Sequence, residues 1–239
     1  MIEAIEAGKT IDKILVRHDL NGDLAKEMLT LARNADVPVQ RVPSEKLNRI
    51  TMKNHQGAIA LVSPIEYQQL DILLPGLYED GLIPFILVLD GITDTRNFGA
   101  IARTAECAAV DAIVIPEKGS VSVTPDAVRT SAGALLRIPV CREKSIKDAV
   151  IQLQNHGLSV IGATEKTGHS YTTVDYTGPI AVVMGSEDTG ISPEVMRKCD
   201  SLAAIPLMGN IGSLNVSVAA GIIMYEAVRQ RLYADSFVK

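Results

Sequence analysis

Runs of apolar residues alternate along the chain with stretches in which apolar residues recur at helical spacing. Residues 84–89 (Pro-Phe-Ile-Leu-Val-Leu) form the clearest run and end at Asp90, as buried parallel strands do. Further strands are predicted at residues 112–115, 158–162, 180–184 and 202–205, and helices at 97–109, 145–155, 193–199 and 213–232. This alternation predicts an α/β fold with a mostly parallel sheet and helices on both of its faces.

The first 70 residues have a pattern of strands and helices of their own. Strands are predicted at residues 13–16, 39–42 and 58–62, and helices at 23–35 and 44–50, the second with Ser44 as its N-cap. A connecting helix and turn are predicted at residues 67–81, with Pro75 and Gly76 as punctuation, and the domain boundary is expected there. We therefore expect a small α/β domain over residues 1–72, a linker over 73–83 and a larger domain over 84–239.

Three predicted strands run into stretches rich in glycine and polar residues: segment 1 (residues 90–105), segment 2 (184–192) and segment 3 (205–217). Ligands of open α/β sheets bind beyond the carboxyl ends of the strands, so these segments are candidates for the functional site. Gly185 and Gly190 have the spacing of a phosphate loop, but its lysine is absent and two acidic residues lie between them. The segments contain no dinucleotide fingerprint, no nucleophile elbow and no histidine, which disfavours an oxidoreductase, a hydrolase and a histidine-ligated metal.

The groups that remain in these segments are backbone amides, small residues, four carboxylates, two arginines and three asparagine amides. Glycines let a ligand approach the main chain closely. Backbone N–H and C=O groups can bind the edge of an adenine, with Leu207, Met208 and Leu214 as an apolar wall. The sequence thus predicts a site for an uncharged ring with polar edges.

Three stretches carry a resemblance to a known family: NFGAIARTA at residues 97–105, GSE at 185–187 followed by CD at 199–200, and SLNVSVA at 213–219. In this order and spacing they resemble motifs 1, 2 and 3 of the SpoU (TrmH) family of RNA ribose 2′-O-methyltransferases, in the SPOUT superfamily. The type that methylates a guanosine of 23S ribosomal RNA is the most similar. The family usually has proline where this chain has Thr95. Residues 1–70 resemble the L30e-type substrate-binding domain of many members.

The resemblance implies a Rossmann-like parallel sheet with a deep trefoil knot, S-adenosyl-L-methionine as the methyl donor, no metal, and a homodimer. The long C-terminal helix would lie at the dimer interface, and the active site would be completed across it. The residues implied at the catalytic centre are Asn97, Arg103, Glu187, Ser213 and Asn215. The residues expected in the cofactor pocket are Thr164, Gly185, Ile205, Met208 and Leu214.

Arg103 is often proposed as the base in this family, but a guanidinium resists deprotonation. We expect Arg103 to clamp the adjacent phosphate or polarise the hydroxyl, while the proton passes to Glu187 or to water. Three of the candidates have structural alternatives. Asn97 is equally suited to be a helix N-cap, Ser213 to cap the last helix, and Asn215 to bind the backbone within the knot.

The net charge of −5 and the aromatic content of 4% argue against a uniformly basic RNA-binding domain and against a groove that stacks bases on aromatic rings. Residues 41–53 are a local exception, because four cations there accompany a single acid. We predict an RNA footprint at this place, made of Arg41, Lys46, Arg49, Lys53 and His55. For His55 a structural role in its loop is the alternative.

The sequence therefore predicts methyl transfer to a ribose 2′-hydroxyl of structured RNA, with a guanosine of large-subunit ribosomal RNA favoured. Transfer RNA is the alternative substrate, and a non-catalytic RNA-binding or ribosome-assembly protein is the alternative class. Three cysteines without a CxxC pair fit a reducing cytoplasm. No apolar stretch is long enough to predict a membrane span.

Overall fold

The computed structural model describes residues 1–236 of the chain, with side chains up to Tyr233. The chain divides into two compact units, Met1–Glu66 and Tyr67–Lys239. The predicted second domain extends to residue 239, and its last three residues lie outside the described residues.

The first unit is built on a three-stranded sheet in the order β2-β1-β3, in which β1 is parallel to β2 and antiparallel to β3. Its elements are α1 (Ile2–Glu6), β1 (Ile11–Arg17), α2 (Asp23–Asn34), β2 (Val39–Val42), α3 (Ser44–Ile50) and β3 (Ala58–Val62). On one face of β1, Ile14 and Val16 pack with Met28 of α2. On the other, Leu15 packs with Leu47 of α3, so the central strand is buried on both faces.

The second unit is a six-stranded, wholly parallel sheet in the order β6-β5-β4-β8-β7-β9, which confirms the predicted α/β fold class. Its strands are β4 (Phe85–Asp90), β5 (Ala112–Pro116), β6 (Val140–Glu143), β7 (Ser159–Ala163), β8 (Ile180–Gly185) and β9 (Ser201–Ala203). Its helices are α4 (Leu70–Glu79), α5 (Thr95–Cys107), α6 (Pro125–Thr130), α7 (Ile146–Asn155), α8 (Pro193–Met196) and α9 (Val216–Ser236). The apolar run that ends at Asp90 lies at the centre of the sheet and is buried, as its composition predicts. The trefoil knot stays a prediction.

The division between the units differs from the predicted domain boundaries. Helix α4 occupies most of the predicted linker, residues 73–83, and Leu70 and Leu74 are buried in the core of the second unit. The connecting helix predicted within residues 67–81 is thus present, and burial of its leucines outweighs the local cost of Pro75 inside it. The structure therefore divides the chain after Glu66.

Sequence reasoning missed α1, α6 and β6, which are short or carry weak apolar periodicity. It also placed several helix starts differently, and α5 begins at Thr95, two residues earlier than predicted. Ser44 is the first residue of α3 and makes no side-chain cap bond, because Pro43 occupies the N-cap position. Helix α9 begins at Val216, three residues later than predicted. Among the described residues, no helix is long and apolar enough to span a membrane.

The strand order brings the three glycine-rich segments to one edge of the sheet. At the carboxyl ends of β4 and β8, Asp90 pairs with Gly185, so segments 1 and 2 emerge side by side. Strand β7 lies between β8 and β9, and its last residue, Ala163, pairs with Met184 on one side and Ala203 on the other. Segment 3 follows β9 and emerges at the same edge, as the strand-end rule predicts.

Candidate active site

One side chain from each segment meets in a polar cluster made of Asn97, Glu187 and Asn215. The Asn97 Nδ2 group donates a hydrogen bond to Glu187 Oε1. The Asn215 Nδ2 group lies 3.0 Å from Asn97 Oδ1 and 3.5 Å from Glu187 Oε1. Three of the five residues predicted at the catalytic centre are thus in contact, although they are far apart in the sequence.

Asp94 determines where Asn97 points. Its Oδ1 atom accepts hydrogen bonds from the backbone N–H groups of Arg96, at 2.8 Å, and Asn97, at 2.9 Å, and so caps α5. These bonds, first that from Asn97, stabilise the carboxylate and hold the pKa of Asp94 below its usual value. The N-cap alternative for Asn97 is therefore wrong. Asn97 lies in the first turn, where its amide is free to join the cluster.

Glu187 is presented by a closed turn in segment 2. Ser186 and Gly190 exchange backbone hydrogen bonds of 3.1 and 2.9 Å across this turn. Asp90, at the end of β4, accepts a 2.7 Å hydrogen bond from the backbone N–H of Ser192 and ties segment 1 to segment 2. Sequence reasoning treated Asp90 only as a strand end. The sequence signal that could have identified this role is an acidic residue directly after a buried central strand.

The side-chain amide of Asn215 makes two kinds of contact, one through its oxygen and one through its nitrogen. Its Oδ1 atom accepts from the backbone N–H groups of Ser217, at 2.9 Å, and Val218, at 3.4 Å, which caps the start of α9. Its Nδ2 group points into the polar cluster. Ser213, for which a capping role was the alternative, lies before the cap and is exposed.

Arg103 is not part of the polar cluster of its own chain. It lies six residues after Asn97 on α5, which is about 240° around the helix and about 9 Å along it. Its side chain is exposed, and within the described residues it has neither a hydrogen bond nor an ion pair. The structure therefore leaves this cation available to a group outside the chain.

A cavity of about 90 Å³ opens at the carboxyl ends of β7, β8 and β9, beside segment 3. Its lining residues are Ala163, Thr164, Glu165, Met184, Ala203, Ile205, Leu207, Ser213, Leu214, Ala219 and Ile223. Three of the five predicted cofactor residues, Thr164, Ile205 and Leu214, line it. Gly185 is buried at the end of β8, and Met208 is 96% exposed, and neither lines the cavity.

The cavity fits an adenosine group in chemistry but is smaller than the ~300–1,000 Å³ of sites that enclose a whole small ligand. Ile205, Leu207, Ser213 and Leu214 line one side of it, and residues 205–214 make no hydrogen bond to any other part of the chain that the structure describes. Residues 208–214 are all exposed. Hydrogen bonds to the described chain therefore do not fix this side of the cavity.

In the first unit, the four predicted RNA-binding cations, Arg41, Lys46, Arg49 and Lys53, are exposed. Arg41 donates to the backbone oxygen of His18 at 2.7 Å. His55 differs, because both ring nitrogens already have partners within the chain. Its Nδ1 atom accepts from the backbone N–H of Gly57, and its Nε2 atom lies 3.0 Å from Asn48 Oδ1. This arrangement favours the structural alternative for His55.

Comparison with known proteins identifies both units. The SpoU rRNA methylase family model matches residues 84–225, and a model for RNA 2′-O ribose methyltransferase substrate binding matches residues 1–68. A Staphylococcus saprophyticus protein named for the TrmH family of tRNA/rRNA methyltransferases is 36% identical over 97% of this chain and 93% of its own.

Two solved structures with bound AdoMet have the same fold. The SpoU methyltransferase AviRb from Streptomyces viridochromogenes has a TM-score of 0.63 and 26% identity, over 96% of this chain and 87% of its own. An rRNA methyltransferase from Sinorhizobium meliloti has a TM-score of 0.64 and 25% identity, over 95% and 83%.

A cavity and a polar cluster lie at the strand ends of the sheet. Fold and family define an RNA methyltransferase that uses S-adenosylmethionine. More particularly, the chain belongs to the SpoU (TrmH) family, and its first unit is a substrate-binding domain of that family. The resemblance read from the three segments is thereby confirmed, as is the predicted cofactor.

Proposed function

We propose that this enzyme methylates a ribose 2′-hydroxyl in structured RNA, with a guanosine of large-subunit ribosomal RNA as the favoured target. The observation that carries the proposal is the contact of Asn97, Glu187 and Asn215 beside the cofactor cavity. This cluster supplies a carboxylate held by two amides at the mouth of a site for a methyl donor.

S-adenosylmethionine, when bound, supplies a methyl group on a positively charged sulfur, and the carbon–sulfur bond breaks as the oxygen–carbon bond forms. Asn97 and Asn215 hold the carboxylate of Glu187 in one orientation. Glu187, or a water beside it, takes the proton of the ribose hydroxyl. The rest of the acceleration comes from positioning, which supplies up to about 7–11 kcal/mol in well-oriented reactions.

The proposal includes a homodimer through α9. Val218, Tyr225 and Leu232 recur at seven-residue spacing on this helix and are 51%, 51% and 65% exposed. Exposed apolar residues that recur on one side of a helix are typical of an interface. A dimer also explains Arg103, which faces away from its own polar cluster and would complete the cluster of the partner, where it clamps a phosphate of the substrate.

The proposal places RNA on α3 and the loop that follows. Reversing two charges, Arg49→Glu with Lys53→Glu, is expected to weaken RNA binding and to lower the salt dependence of the binding constant by about one unit per lost phosphate contact. Affinity for S-adenosylmethionine should be unchanged. Titration of RNA at several salt concentrations measures this.

The matched control reverses Lys26 and Arg33, two exposed cations on α2 of the same unit. This double variant changes the net charge by the same amount, at positions outside the predicted RNA footprint. Equal weakening by both double variants would mean that overall charge, and not this surface, governs RNA binding.

The S. saprophyticus relative's name covers both tRNA and rRNA, and tRNA is accordingly the second candidate substrate. The three cysteines are free thiols, which fits action in a reducing cytoplasm. The test is calorimetry with S-adenosylmethionine, followed by mapping of 2′-O-methyl groups on ribosomal and transfer RNA after incubation with the enzyme. Methyl groups on rRNA are expected. Failure to bind S-adenosylmethionine would leave only the non-catalytic RNA-binding function.

A further inference from the structure

A second cavity lies between segments 1 and 2, where the cofactor cavity does not reach. It has a volume of about 190 Å³ and is lined by residues 91–94 and 186–189. The two cavities share no lining residue. The polar cluster has a residue at each cavity. Glu187 lines the second cavity, and Asn215 contacts Glu187 and directly follows Ser213 and Leu214, which line the cofactor cavity.

The inference rests on the proposed function, which requires that the methyl group pass in line from sulfur to oxygen. The position of the second cavity matters for this geometry. The attacking oxygen must approach the methyl group from the side opposite the leaving sulfur. With the donor in the cofactor cavity, the acceptor nucleoside comes from the other side of the polar cluster, which is the side of the second cavity. The cavity is smaller than sites that enclose a whole ligand and has room for one ring system.

The lining of the second cavity excludes a phosphate and leaves one group free to bind a base. Carboxylates repel phosphate, and of the three here Asp94 caps α5 while Glu187 holds Asn97 and Asn215. Asp188 is exposed and has no hydrogen bond or ion pair with any residue that the structure describes. A free carboxylate accepts two parallel N–H bonds.

We propose that the second cavity receives the base of the target nucleotide and that Asp188 selects a base with two adjacent N–H donors on its edge. Guanine has such an edge, with a ring N–H beside an exocyclic amino group. Adenine and cytosine place an acceptor beside their amino group, and uracil has a single N–H between two oxygens. Bases of unpaired RNA are read in this way, on their Watson–Crick edges.

The test is the variant Asp188→Asn in the full-length enzyme, with S-adenosylmethionine and ribosomal RNA that lacks 2′-O-methyl groups. The methylated nucleosides are identified by mass spectrometry after digestion. The wild-type enzyme is expected to form 2′-O-methylguanosine. The variant is expected to lose about 10- to 100-fold in kcat/KM, the discrimination of one two-bond contact to a base, and to bind S-adenosylmethionine as before.

Asp80→Asn is the matched control, because Asp80 is an exposed acid at the end of α4, away from the three segments. It should act as the wild-type enzyme does. A product other than 2′-O-methylguanosine from the wild-type enzyme, or full activity of Asp188→Asn, would overturn the role of Asp188 and leave methyl transfer to a ribose 2′-hydroxyl standing. Absence of any 2′-O-methyl nucleoside from the wild-type enzyme, with ribosomal RNA and with transfer RNA in parallel reactions, would instead overturn the proposed function.

Discussion

Glu187→Gln is expected to lower the rate of methyl transfer by a factor of about 10²–10³. The amide oxygen of glutamine can still accept from Asn97 and Asn215, so the shape of the cluster is retained. What is lost is the negative charge and with it the ability to take the proton of the ribose hydroxyl, an effect typically worth 10²–10⁴-fold. Single-turnover methyl transfer at several pH values measures it, and affinity for S-adenosylmethionine should not change.

The matched control is Glu194→Gln, the same change at an exposed position in the first turn of α8. If Glu187→Gln and the control have the same rate, water takes the proton and Glu187 only orients the amides. A lower rate with an unchanged pH profile would lead to the same conclusion about the proton.

The meeting of the three segments could be predicted from the sequence because it depends on a general property of parallel sheets. Strands such as 84–89 and 180–184 are recognisable as apolar runs, and their carboxyl ends lie at one edge in any parallel order. The contact of Asn97 with Glu187 depends in addition on β4 and β8 being neighbours in the sheet, which apolar periodicity does not reveal. That these two residues share a site was expected only from the resemblance.

Other features of the site depend on details that no local pattern encodes. Whether Asp94 or Asn97 caps α5 turns on where the helix begins, and sequence patterns fix helix ends only to within a few residues. The face of α5 on which Arg103 lies follows from the same register. Met208 was expected in the cofactor pocket as an apolar residue of segment 3, but its side chain is almost fully exposed, and the residues that follow it up to 214 are exposed as well.

Gly185 is the position at which the smallest change is expected to have the largest effect. A Cβ atom there would lie 2.0 Å from the carbonyl carbon of Gly190 and from the backbone nitrogen of Ile191. These are backbone atoms, so no rotation of a side chain relieves the overlap. Ala at position 185 would open the turn between Ser186 and Gly190 and displace Glu187, which this turn presents to Asn97.

Gly185→Ala is therefore expected to abolish methyl transfer and to lower the free energy of unfolding by about 3 kcal/mol or more, as a strongly overpacked site does. Denaturant unfolding measures the second effect, and calorimetry with S-adenosylmethionine at a temperature where the variant is folded separates the two. Gly178→Ala is the control, since nothing lies within 4 Å of its added Cβ. A folded, fully active Gly185→Ala enzyme would mean that segment 2 tolerates an open turn, and the role of this turn in presenting Glu187 would have to be abandoned.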